Sequence, residues 1–177
     1  LTPKATDLGL YDSTDKKDRG PLSPLVPGAC GGWLEALRQY GTMDAATVFA
    51  PAIEYAEQGF ALTVKNYEFF EKNRADLSLY PSSVEAYLPG GHSPRPGEIL
   101  AQPDLGRTFR AVAEAGAEVF YRGAIADQIV GFMQESGGLL THEDLKEFEP
   151  VWLDPVRITY RDYQVFAPGP PCQAVQY

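Results

Sequence analysis

No part of the chain is apolar over the roughly 18 residues that a membrane-crossing helix needs, so no transmembrane helix is expected. Basic clusters are missing as well. The 15 lysines and arginines are outnumbered by 24 aspartates and glutamates, giving a formal charge of -9. Nucleic-acid partners are excluded, because they require a positive footprint. Histidine and cysteine are scarce, at two each. Cys30 and Cys172 belong to no paired-cysteine metal or redox spacing, and two thiols, a disulfide or one reactive group all fit their positions. Gly31-Gly32 and Gly137-Gly138 lack the lysine of a phosphate loop and the dinucleotide fingerprint, so they read as backbone turns. A signal peptide is also missing; a processed chain would have lost one, which leaves the compartment open.

What is present is the composition of a folded domain. Hydrophobic residues make up 44% of the 177 positions, and ten tyrosines with nine phenylalanines argue against disorder. Seventeen glycines and fifteen prolines predict many irregular connections. Leu1 at one end, and an apolar stretch starting after Pro168-Gly-Pro-Pro171 at the other, suggest a segment of something longer.

Residues 1–30 read as an irregular arm, with a charged loop from Asp12 to Gly20 and the turn Pro27-Gly28. Trp33, Leu34 and Leu37 predict a helix from Gly32 to Tyr40 that Gly41 stops. A second helix falls within Asp44–Gln58, with Phe49, Ile53 and Ala56 on one face and Gly59 at its end. Pro51 suits the first turn, so this helix is expected to start late, near Phe49 or Ala50. Phe60 to Phe70 reads as an extended turn leading into a helix, and the glycine- and proline-rich Pro89–Pro103 as a surface excursion without regular structure. Leu105, Phe109 and Val112 form one helical stripe, and Ile125, Ile129 and Phe132 another, ending at Gly137-Gly138. Thr141-His-Glu-Asp144 is a helix-start pattern. Val156–Tyr160 and Tyr163–Phe166 predict a hairpin turning at Arg161-Asp162, where a glycine would have been the stronger signal.

Reactive constellations do not emerge from this pass. His92 reads as a loop residue and His142 as a neighbour of a helix cap; neither has a serine, cysteine or ligand array at diagnostic spacing. Glu143 and Asp144 are adjacent on a helix and point apart, so they do not build an acid/base pair. Arg95 and Arg157 read as surface or scaffold arginines rather than a carboxylate clamp.

Several segments, taken in order, resemble the heavy subunit of the gamma-glutamyltranspeptidase family. They are Thr2-Pro-Lys-Ala-Thr6, Val26-Pro-Gly28, Gly31-Gly32, Tyr40-Gly-Thr-Met43, Ala50-Pro-Ala-Ile53 and Ala56-Glu-Gln-Gly-Phe60. Pro96-Gly97, Leu100-Ala-Gln-Pro-Asp-Leu105, Phe120-Tyr-Arg-Gly123, Ile125-Ala126 and Gly137-Gly-Leu-Leu-Thr-His-Glu-Asp-Leu145 follow. Pro155, Tyr160-Arg-Asp-Tyr163 and Pro168-Gly-Pro-Pro171 close the series.

The resemblance implies an α/β fold, the four-layer αββα sandwich of N-terminal-nucleophile hydrolases, to which this chain gives mostly helices and a terminal strand pair. On that basis residues 1–177 are part of a heavy-subunit domain, divided into the arm 1–30, a mainly helical segment 31–148 and a hairpin 156–166. It further implies a self-cleaving precursor whose light subunit begins with a nucleophilic threonine. Its partners would be that subunit, a gamma-glutamyl compound or related amide, and water or an amino-acid or peptide acceptor. No cofactor or metal is implied, and the family's setting points to a periplasmic or extracellular location, with a cytoplasmic one still open.

No catalytic residue is expected within these 177 residues. Thr2, Thr6 and Thr141 fall in the wrong segments, the family's carboxylate-binding arginine belongs just ahead of Leu1, and the substrate-binding set is unassigned. Cys172-Gln173-Ala174 stands where many relatives have a serine- and glycine-rich stretch. That departure keeps two alternatives in play: a related amidohydrolase or cephalosporin-type acylase, and a catalytically inactive structural or interaction homologue.

Overall fold

The computed structural model describes residues 1–7, 9–10, 19–170 and 172. Most of the charged loop expected from Asp12, and the apolar stretch after Pro171, lie outside the described residues. The described elements are α1 (Ala29–Tyr40), α2 (Ala45–Gln58), β1 (Phe60–Ala61), α3 (Val64–Leu77), α4 (Pro81–Tyr87) and β2 (Ile99–Leu100). They continue with α5 (Pro103–Ala115), α6 (Ala117–Tyr121), α7 (Ala124–Ser136), α8 (His142–Lys146), β3 (Val156–Tyr160) and β4 (Tyr163–Ala167).

α1 begins at Ala29, three residues before the expected Gly32. α2 begins at Ala45 rather than near Phe49, so Pro51 sits inside the helix. The early start is explained by Asp44, whose side chain accepts a hydrogen bond from the Thr47 amide and caps the first turn. Pro51 lacks the amide that would continue the ladder, a loss offset by burying Ile53 and Ala56 against α5. Phe49 and Phe109 meet there with ring centroids 5.8 Å apart, and the Arg110 guanidinium forks onto the Glu57 carboxylate at 2.8 Å.

Pro89–Pro103 differs from its reading as an unstructured excursion. It holds a one-turn 3-10 helix at Pro89–Gly91 and strand β2, which pairs antiparallel with β1. Ser93, Pro94 and Leu100 are buried, as is Leu88 just ahead of it, so the segment is packed rather than free. The sequence does not announce this strand because its two residues have no room for alternation.

The second stripe also shifts. In α7 the buried residues are Ala126, Val130 and Met133, while Phe132 stays 47% exposed. Both sets have spacings of four and three, so periodicity alone cannot choose between them. The apolar face of α7 is simply wide, and the smaller set faces inward. α7 ends as glycine predicts: Gly137 takes φ 76°, its amide bonds to Gln134 O at 3.4 Å, and the Gly138 amide bonds to Met133 O at 2.7 Å.

The main core gathers Val26, Tyr121, Ala126, Val130, Met133, Leu140 and Leu145, drawn from the loop before α1, from α6, α7 and α8, and from the connection between α7 and α8. Cys30, Phe120 and Phe148 pack around it. The hairpin β3–β4 is antiparallel from Val156↔Ala167 to Tyr160↔Tyr163, and Arg161 turns it at φ 53° without a glycine.

Candidate functional site

Chemistry-bearing side chains gather at four places. The first is the start of α8. The Thr141 hydroxyl donates to Asp144 Oδ2 at 2.7 Å and accepts from the Asp144 amide at 3.3 Å, while the Thr141 amide donates to the same carboxylate at 2.9 Å. This closes the capping box foreseen at Thr141. The other oxygen, Asp144 Oδ1, accepts the Lys4 amide at 2.8 Å, although Lys4 is far away in sequence. The Lys4 ammonium lies 3.2 Å from Glu143 and 2.7 Å from Glu147. Burial pushes the Asp144 carboxyl up, but the Lys4 and Thr141 hydrogen bonds, with the Lys4 charge, outweigh it and hold the group below its ordinary range.

The second is Tyr121. Its hydroxyl donates to Pro27 O at 2.7 Å and accepts the Gly31 amide at 3.0 Å, while its ring stacks on Phe148 with centroids 4.9 Å apart. Gly31 is needed for that approach: a Cβ there would stand 2.8 Å from the Phe148 ring and 3.1 Å from the Tyr121 hydroxyl.

Third, a bracket joins α1 to the segment entering the hairpin. Trp152 packs edge-on to Tyr40 at 5.3 Å, and its indole donates to Glu35, which Arg38 also grips at 2.7 Å. The Arg38 and Trp152 hydrogen bonds lower the Glu35 carboxyl to about 2.

The fourth place is the hairpin. Its register puts Val156, Ile158 and Tyr160 on the same face as Tyr163, Val165 and Ala167, so that face is apolar from end to end. All but Ala167 are exposed. On the opposite face Phe166 joins Leu153, Pro155 and Pro168 around an open cleft of about 770 Å³. A two-stranded hairpin is marginal by itself in water, and an exposed apolar face of this kind is a candidate contact surface.

The groups singled out in the sequence do not converge. His92 is exposed, and His142 is exposed and 2.9 Å from Asp127. Glu143 pairs with Lys4, whereas Asp144 turns inward, as their opposed helix directions require. Arg95 and Arg157 are exposed at separate places, Arg157 on the strand face that carries Thr159. Thr2 is exposed, the Thr6 hydroxyl is buried without a partner, and the Thr141 hydroxyl is committed to Asp144. Cys30 and Cys172 are free thiols, and burial raises the Cys30 thiol away from the reactive thiolate form. Among the described residues no histidine hydrogen-bonds a serine, threonine or cysteine. These groups tie loops, arm and helix ends together, and among the described residues none of them pairs a nucleophile with a base.

Sequence reasoning missed Tyr121, the Trp152 bracket and the apolar hairpin face. The last had a signal, since Val-x-Ile-x-Tyr and Tyr-x-Val-x-Ala alternate with period two. The first two had none, because their partners lie far along the chain.

Comparison with known proteins places this geometry. A family model described as Gamma-glutamyltranspeptidase matches residues 1–175. An Acylase ACY 1 proenzyme from Pseudomonas sp. (strain V22) is 36% identical over 161 residues, covering 89% of this chain and 29% of the relative. A glutathione hydrolase proenzyme from Pseudomonas sp. (strain A14) is 35% identical over 159 residues, covering 86% of this chain and 27% of the relative. The crystal structure of Helicobacter pylori gamma-glutamyltranspeptidase superposes with a TM-score of 0.92 at 30% identity, over 96% of this chain and 51% of that one. The chain thus spans under a third of the length of these curated relatives and about half of the solved chain. The fold is that of part of an N-terminal-nucleophile hydrolase, mostly helices with a terminal strand pair, as the sequence implied.

Proposed function

Because the chain belongs to the gamma-glutamyltranspeptidase family, we propose that it is the heavy-subunit part of a gamma-glutamyltransferase or glutathione hydrolase whose nucleophile is the N-terminal threonine of a light subunit. The observation that carries this reading is the family match along nearly the whole chain, accompanied by relatives named glutathione hydrolase proenzymes. The hairpin supports it too, since its apolar face offers a docking surface for the rest of the sandwich.

In this reading the threonine hydroxyl attacks the donor amide, and its own α-amine takes the proton. Backbone or side-chain donors stabilise the oxyanion, and the amine leaves with a proton to give a gamma-glutamyl ester. Water then yields hydrolysis and an amino-acid or peptide amine yields transfer. This chain's residues act as scaffold: Tyr121 and Asp144 fix the loop and arm around the core, and no residue here supplies the nucleophile.

A second reading is favoured by the acylase relative: a related amide hydrolase that takes another acyl donor. To separate the two, the complete protein is offered a gamma-glutamyl anilide and, in parallel, a cephalosporin carrying a glutaryl side chain. Gamma-glutamyl transfer predicts aniline release, at least tenfold faster turnover of that substrate, and an acyl adduct on a light-subunit N-terminal threonine. Preferential deacylation of the cephalosporin supports the second reading, and turnover of neither substrate contradicts both.

A further inference from the structure

We propose that helix α1 is the guide that sets where the β3–β4 hairpin lies, with Glu35 as the positioning residue that seats the connecting segment through Trp152. The contacts stand apart from the function proposed above; only their consequence for turnover rests on that reading. Residues 147–155 join α8 to β3 as a connector without helix or strand. Pro150 and Pro155 fix their own φ and bias Glu149 and Asp154 towards extended backbone, so the connector is stiff by sequence. Two aromatic side chains peg it to α1. The Phe148 ring lies on the start of the helix, where a Cβ at Gly31 would stand 2.8 Å from it and one at Gly28 3.2 Å. Trp152 lies further along: its ring meets Tyr40 edge-on at 5.3 Å, and its indole donates to Glu35 Oε1 at 3.3 Å.

The spacing on both sides makes this a track rather than two unrelated contacts. Gly28, Gly31, Glu35 and Arg38 recur at intervals of three, four and three, so they form one stripe along α1 and its cap. At about 1.5 Å of rise per residue, Gly31 and Tyr40 are about 13.5 Å apart along the axis. The four steps from Phe148 to Trp152 reach at most about 14 Å when extended. The two lengths match, so an extended connector lays one peg at each end of the helix. The glycines leave room for the Phe148 ring, which Tyr121 backs from inside the core at 4.9 Å. Glu35 supplies the acceptor that the indole needs, and Arg38 holds its carboxylate with two hydrogen bonds of 2.7 Å. Val156 opens β3 four residues after Trp152, so the hairpin takes its starting point from α1.

The test uses the complete protein and reads amide hydrogen exchange across the β3–β4 ladder, with the α7 amides as control. W152F keeps a ring for Tyr40 but has no indole donor, and E35A removes the acceptor. In each, hairpin protection is expected to fall about threefold or more, while α7 changes by less than about twofold. Glu35→Gln keeps an acceptor oxygen for the indole and is expected to restore most of the protection. In the double variant the loss should be no greater than in the larger single, because both changes break the same bond. With a gamma-glutamyl anilide as substrate, both single variants are expected to lower kcat about threefold or more and to change KM by less than about twofold. Unchanged hairpin protection in either single variant, or losses that multiply in the double, would overturn the guide. A loosened hairpin with unchanged kcat would overturn the positioning role of Glu35. If the parent protein turns over no gamma-glutamyl substrate, the function proposed above falls, and the exchange results still decide the guide.

Discussion

Replacing Leu145 with alanine is expected to destabilise the protein by about 2–5 kcal/mol, among the largest effects of any single substitution in this chain. Leu145 is 0% exposed and sits where α8 meets the cluster of Val26, Tyr121, Ala126, Val130 and Leu140. Truncation removes the transfer free energy of three carbons and leaves a cavity that helices from three parts of the chain would have to collapse to fill. Native stabilities are about 5–15 kcal/mol, so the loss is a large fraction of the whole. Urea unfolding of the complete protein, followed by circular dichroism, measures it. A shift worth under about 1 kcal/mol would mean that the core is not centred where these residues place it. Leu145→Met, which nearly conserves volume, should cost less than about 1.5 kcal/mol.

Tyr121→Phe has the second-largest expected cost. The phenol ties two backbone groups, Pro27 O and Gly31 N–H, that lie beside the core. Losing it leaves both without that partner, at roughly 1–3 kcal/mol for each group that stays buried and unsatisfied. The ring contacts with Phe148 and Phe120 are kept, so the loss isolates the hydroxyl. pH provides a second check. Burial raises the Tyr121 phenol, the Gly31 hydrogen bond partly opposes this, and nearby Cys30 adds to the rise. Its folded value therefore lies above the unfolded one, and its contribution is complete below the unfolded value and lost as pH rises through the folded one. The parent protein should lose stability there by a component that Tyr121→Phe lacks. Identical alkaline profiles would remove Tyr121 from the account.

Local chemistry was readable and distant pairing was not. Gly41, Gly59 and Gly137 stop their helices where glycine predicts, and Thr141 caps with Asp144 as the spacing foresees. The hairpin follows from alternation, although Arg161 adopts a left-handed turn conformation that favours glycine. What escaped are features whose partners come from elsewhere: Asp144 with Lys4, Tyr121 with Pro27, and β1 with β2. α2 starts earlier than Pro51 suggests because the Asp44 cap satisfies its first turn and the proline is tolerated within the helix. On α7 two apolar stripes with the same spacing competed, and only the tertiary fold decides which turns inward. The site was the least legible part. Its candidate groups scatter over the surface, and the resemblance to a family, rather than any constellation within the chain, pointed to acyl transfer.

The proposed function makes this chain one part of an N-terminal-nucleophile enzyme that receives its nucleophile from another polypeptide. Intact masses and N-terminal sequences of every polypeptide in the purified complete protein test it most directly. The account predicts two chains from one precursor, the second beginning with threonine. A single uncleaved chain, or a second chain with another first residue, would contradict it and leave a divergent scaffold in place of an enzyme.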